Sequence, residues 1–233
     1  MNRLKGQIFY LAGPMDRVEG RGVEWREDMQ NFVWNELEGG IFNPCSKPID
    51  WGLEDEDSRV WRRESLQKAA AMERRGLTHD ANKIYEAIHE QMRDIVASDL
   101  RGVDTSHAVI LHIDCDVHMC GSYGEQTHAC LQRKPVVVHC KQGKANVPDW
   151  LWGICQHEMF FSTWDEVKDF LKHVAFDDNV DHFKRWRFID MFKIYGFDRY
   201  QTYQGDTFSD KTYTNPGSTA PSNDNSPAGT LIW

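Results

Sequence analysis

Apolar positions along this chain fall into short unbroken runs that alternate with stretches of helical spacing. Residues 8–13, Ile-Phe-Tyr-Leu-Ala-Gly, form one run and stop at Gly13-Pro14, which predicts a buried strand ending in a tight turn. A glycine-containing loop, 14–22, follows. Val23, Met29, Phe32, Val33 and Leu37 then recur at helical spacing as far as Gly39-Gly40. Ile41-Phe42-Asn43-Pro44 reads as a short second strand. From Asp80, the positions Ile84, Ile88, Met92, Ile95 and Val96 predict a helix with one apolar face, ending near Asp99–Gly102. Residues 108–113 predict a central strand, 124–132 a helix, and 136–140 another buried strand. Thr163 followed by Glu166 is a capping box for a helix through Leu171. Runs that are apolar throughout, rather than alternating, indicate a parallel sheet covered on both faces. The expected fold is a single α/β domain with a mostly parallel, Rossmann-like or flavodoxin-like sheet.

Three stretches stand outside this rhythm. Residues 45–79 are rich in Glu, Asp and Arg and read as an insertion, helical around Arg62–Arg75, at the sheet edge or over its loops. The core domain is expected over 1–173, and 174–203 reads as a last strand or packed arm. Residues 204–233 are mostly Ser, Thr, Asn, Asp, Gly and Pro, which predicts a flexible tail.

Charge narrows the partners. The 36 Asp and Glu outnumber 27 Lys and Arg in a chain of 233 residues, for a formal net charge of -9. Such a chain has no general attraction for DNA, RNA or anionic lipid, so a bound phosphate must be held locally. No apolar run is long enough to span a membrane, and the start lacks the pattern of a signal peptide, so a cytoplasmic protein is expected. The six cysteines form no CxxC pair. Cys115 and Cys120 with His112 and His118 give no closed ligand set at zinc spacing, and no metal is expected.

The candidate chemistry lies at the turns. Gly13, Gly20 and Gly22 sit between a strand and a helix, where backbone N–H groups can cradle an anion or the glycines can simply serve a tight turn. The spacing matches neither a dinucleotide fingerprint nor a P-loop. Asp99 reads either as a solvated helix-end residue, on the far side of the sheet from any crevice, or as part of a site. Glu125 sits in Gly121-Ser122-Tyr123-Gly124-Glu125, at the start of the helix after the central strand. There it is either a cap or a carboxylate kept ionised by the helix N-terminus and suited to attack an electron-poor sugar carbon. The histidines have no nucleophile-elbow partner.

Three segments, in order, resemble the nucleoside 2-deoxyribosyltransferase family, including its nucleotide N-glycosidase relatives. They are residues 8–15 (IFYLAGPM), residues 96–110 around Ser98-Asp99-Leu100, and Gly121-Ser122-Tyr123-Gly124-Glu125 with Lys134-Pro135-Val136-Val137 beyond it. The resemblance implies that Glu125 attacks C1′ of a 2′-deoxyribosyl group and that Tyr10 orients it. It implies that Asp99 contacts the sugar or the leaving base. Gly13, Pro14, Met15, Arg17, Arg21, Met119, Gly121 and Ser122 are the implied substrate contacts, with Arg17, Arg21 and Ser122 suited to a 5′-phosphate. It implies a deoxynucleoside or deoxynucleotide substrate, a free base as second substrate, no cofactor, and a homo-oligomer. The alternatives are a pure hydrolase of nucleoside monophosphates and a nucleotide-binding module without turnover. The family's acidic residue just before the GS..E element has no match here, since Met119 and Cys120 stand at that place and Asp114 and Asp116 lie further upstream.

Overall fold

Five short strands lie side by side in the order β2-β1-β3-β4-β5, all parallel. They are β1 (Ile8–Ala12), β2 (Gly40–Phe42), β3 (Ala108–Ile113), β4 (Val136–Cys140) and β5 (Phe160–Phe161). The helices are α1 (Val23–Glu36), α2 (Glu56–Arg74), α3 (Thr78–Thr105), α4 (Cys120–Leu131), α5 (Asp149–Ile154) and α6 (Trp164–Phe176). The computed structural model describes residues 2–16, 18–47, 55–176 and 186. The order is that of a flavodoxin-like sheet, with its topological switch between β1 and β3, where the chain leaves the sheet in opposite directions and opens a crevice.

Side chains alternate between two cores. Phe9, Leu11, Ala108, Ile110 and Val137 pack with Met29, Phe32 and Val33 of α1 and with Val167, Leu171 and Val174 of α6. Tyr10, Ala12, Val109, Leu111, Ile113, Val136 and Val138 face the other way, towards Val103 of α3, Ala129 of α4 and Leu151 of α5. Both faces of the sheet are therefore dry, which is why its strands read as continuous apolar runs.

The insertion is more regular than its composition suggests. α2 starts six residues before the expected Arg62, where the Asp55 side chain accepts from Ser58 N at 2.6 Å, and it packs along α3 as an antiparallel hairpin. The helix expected to end near Asp99 runs on to Thr105, so Asp99 lies inside it. Met92 and Val96, placed on its buried face by spacing, are exposed, and the buried positions are Ala81, Ile88, Ile95, Asp99, Gly102 and Val103. The Thr163–Glu166 capping box forms: Glu166 N donates to Thr163 Oγ1 at 3.2 Å and Thr163 N to Glu166 Oε2 at 3.1 Å. Residues 174–176, assigned to the arm, continue α6. The fifth strand is Phe160–Phe161. The remainder of the arm, apart from Trp186, and the tail lie outside the described residues. Trp186 is buried in the first core.

Candidate active site

The carboxyl ends of β1, β2 and β3 meet α3 and α4 over one face of the switch point. Tyr10 rises from β1, and its ring stacks on Phe42 at the end of β2, with centroids 5.5 Å apart. Phe42 lies so close to α3 that a Cβ on Gly102 would come within 2.6 Å of its ring. Only glycine lets that helix approach this closely. The Tyr10 hydroxyl donates to Glu125 Oε1 at 2.6 Å. A tyrosine buried beside a carboxylate has its pKa pushed well up, so Tyr10 stays a neutral donor.

Glu125 is the sixth residue of α4, which begins at Cys120, and so stands in the second turn and not the first. That weakens the helix-dipole argument, because the effect fades within the first turn. Glu125 keeps some contact with solvent, whereas its carboxyl is densely surrounded by protein. Burial, first, raises its pKa to about 7, against the Tyr10 hydrogen bond, and Asp99 adds to the rise, while Arg26 and Lys47 oppose it. The expectation of a carboxylate held ionised by the helix start is corrected: desolvation outweighs the helix terminus. Beside it, a Cβ on Gly121 or Gly124 would meet nothing within 4 Å, so space stands open along this side of α4.

Asp99 is buried and pairs with Lys47, Nζ to Oδ1 2.8 Å. The reading of Asp99 as a solvated helix-end residue on the far side of the sheet is overturned. Six residues of helix beyond Asp99 carry it about 9 Å back along the strands, to the level of the crevice.

Arg26 supplies the frame. It is fully buried in α1, and its guanidinium donates to Gly13 O at 2.8 Å, Gly22 O at 3.0 Å and Arg21 O at 3.2 Å. One cation thereby pins both ends of the loop over 13–22 to the end of β1. Gly22 takes the left-handed φ of 65° that starts α1, and a Cβ there would strike Arg26 and Trp25 at 2.8 Å. From the insertion, Arg59 Nη1 donates to Met15 O at 2.8 Å.

The remaining candidates divide. Gly13 and Pro14 are buried beneath the loop, Gly13 against Trp25 and His112. Met15 is held through its carbonyl by Arg59, and its Sδ lies 3.1 Å from Cys45 Sγ. Arg21 is partly buried, with a φ of 57°. Arg17 lies outside the described residues. Ser122 is buried one helical turn before Glu125. Met119 is a core residue, 4% exposed, whose Sδ accepts from Asp114 N at 3.3 Å. Its burial in the apolar core leaves it little surface to offer a substrate. Asp114 does not take the vacant acidic role: it accepts from Lys141 Nζ and Gln142 Nε2, both at 2.7 Å, and ties the end of β3 to the end of β4.

Arg26, Lys47 and Arg59 carried no motif. Two of them left a signal all the same. Arg26 falls on the apolar stripe of Met29 and Val33, where a cation must find buried acceptors. Lys47 follows a parallel strand closely, at the end where ligand crevices open.

Among the described residues no group of three or more His, Cys, Asp or Glu is arranged to hold a metal, and no helix is long and apolar enough to cross a membrane. No family model matches the chain, and no curated protein matches it. Among solved structures it is similar to a 2-deoxyribosyltransferase from Bacillus psychrosaccharolyticus, at 14% identity over 70% of this chain and 90% of that one, with a TM-score of 0.42.

Proposed function

We propose that this chain is an enzyme that breaks the N-glycosidic bond of a 2′-deoxynucleoside or its 5′-monophosphate through a covalent intermediate on Glu125. The observation that carries the reading is the 2.6 Å hydrogen bond from Tyr10 to a half-buried Glu125 at the sheet's switch point, on the helix whose flank is open at Gly121 and Gly124. In the first step a Glu125 oxygen bonds to C1′ as the C1′–N bond breaks, and the base leaves with the bonding electron pair and takes up a proton from solvent. In the second step a new base or water attacks C1′ and frees the carboxylate. Tyr10 fixes the carboxylate's orientation. Asp99, paired with Lys47, is an acceptor for a sugar hydroxyl. The loop over 13–22, clamped by Arg26, forms the opposite wall. Such a reaction uses no cofactor. Arg17 and Arg21, from the same stretch of sequence, are the cations offered to a 5′-phosphate.

Chromatography of deoxynucleosides and their monophosphates after incubation, with and without an added free base, tests this. Base exchange identifies a transferase and free sugar a hydrolase. Binding of these compounds without turnover would replace both with a nucleotide-binding module. A glycosylated protein of increased mass in quenched wild-type reactions, absent in Glu125→Gln, is expected.

A further inference from the structure

Lys47 belongs to no motif, yet it is one of the most buried cations of the crevice. Its side chain is 9% exposed and that of Asp99 12%, with 2.8 Å between Nζ and Oδ1. Each charge is costly to remove from water, and their closeness offsets part of that cost. The charges and titratable groups that act on the Glu125 carboxyl come from four elements: Tyr10 of β1, hydrogen-bonded to it, and, through their fields, Arg26 of α1, Asp99 of α3 and Lys47 from the segment after β2. Asp99 opposes the ionisation of Glu125, and Arg26 and Lys47 favour it. Two uncompensated carboxylates sharing a desolvated site cannot both ionise readily, and a protonated Glu125 cannot attack a sugar carbon. The site needs both acids, and something must settle the conflict between them.

We propose that Lys47 is a positioning residue for the reaction of Glu125: its ammonium holds the Asp99 carboxylate in place and cancels its charge, so that Glu125 faces a neutral pair and not a second anion. This rests on the reading of Glu125 as the nucleophile. Arg26 does not replace Lys47, because its hydrogen bonds are committed to the carbonyls of Gly13, Arg21 and Gly22.

Lys47→Met keeps the stem and removes the charge, Lys47→Arg keeps the charge, and Lys47→Met with Asp99→Asn removes both. In Lys47→Met the acid limb of kcat/KM is expected to move up by about one pH unit, an approximately tenfold loss at pH 6 that recovers in alkali. Lys47→Arg is expected to restore the limb. A loss that is equal at every pH would overturn the proposal, because it would mark a merely structural lysine. The second readout needs no turnover: carbon NMR titration of the labelled glutamate carboxyls, with Glu125→Gln identifying the signal. The Glu125 midpoint should rise in Lys47→Met, and an unmoved midpoint overturns the proposal whether or not any substrate reacts. A raised midpoint in a protein that turns over no deoxynucleoside supports the electrostatic pairing and sinks the glycosidic reading instead. The double variant buries no lone charge and decides the case if Lys47→Met does not fold. A Glu125 midpoint close to wild type supports the neutral pair, and a shift of more than about one unit in either direction overturns it.

Discussion

The two faces of the sheet end differently at the crevice. On the side of α3 and α4 stand Tyr10, Glu125, Asp99 and Lys47. On the side of α1 and α6, His112 of β3 and His139 of β4 stack on each other, with centroids 5.0 Å apart; Trp164 stacks on His139 and on Trp25, and both tryptophans tilt against His112. Both faces hold ionisable groups far from their usual pKa. Burial, first, and each other's proximity push His112 down to about 3, and burial pushes His139 down to about 4. The imidazoles are therefore neutral across the physiological range, with their Nδ1 atoms 2.9 Å apart in one hydrogen bond. They serve as flat aromatic packing. Glu125, at about 7, changes charge where cells work, beside an ion pair and open space. A large shift alone does not mark a site. What sets the α3–α4 side apart is a group that titrates near neutrality beside a buried ion pair.

The strongest way to break this contrast is to remove each face's ionisable group. Glu125→Gln keeps the shape and should lower kcat on the order of 10²-fold or more, with binding retained, read by steady-state turnover and ligand titration. His112→Phe combined with His139→Phe should leave turnover within a few-fold of wild type. Equal losses from both would erase the distinction.

Asp99→Asn removes the charge but keeps the size, and about a tenfold drop in kcat/KM is expected in the folded variant, with some loss of stability because the buried Lys47 loses this counter-charge. A near-normal rate would reduce Asp99 to a partner for Lys47.

Gly102→Ala probes the approach of α3 to Phe42. The added methyl has to displace the ring that supports Tyr10, at a cost of about 1–3 kcal/mol in denaturant unfolding. A smaller, secondary loss of rate should follow as Tyr10 shifts against Glu125. Unchanged stability would show that the ring yields freely.

The smallest effects concern pH and stability, and the two faces have opposite signs. Glu125 has a raised pKa, so its contribution is present below about 4.5 and fades as pH rises through about 7. The histidines have lowered values, so theirs is present above 6.5 and fades as pH falls towards about 4 and then about 3. Melting temperature against pH should therefore flatten on the neutral side in Glu125→Gln and on the acid side in the double histidine variant. The reverse assignment would undo the account of both faces.

Much of this was legible in the order of residues. The strands over 8–13, 108–113 and 136–140 announce themselves because a strand dry on both faces is apolar at nearly every position, His112 and His139 apart, and the capping box at Thr163 is a local contact three residues long. Tyr10 and Glu125 were readable as candidates, since a strand end and a glycine-flanked helix start are local features. Their 2.6 Å bond joins residues 115 positions apart and exists only once β1 and α4 share a face. The charge state of Glu125 escapes the sequence for the same reason. A helix terminus is visible in sequence, while the desolvation that overrides it is made by β1, α3 and the segment after β2. Lys47 reaches Asp99 across 52 positions, and Arg26 finds its acceptors in a loop whose fold it helps to hold. Periodicity records which face of an element is dry. Which charges meet on that face depends on how elements distant in sequence are stacked, and only the tertiary structure decides that.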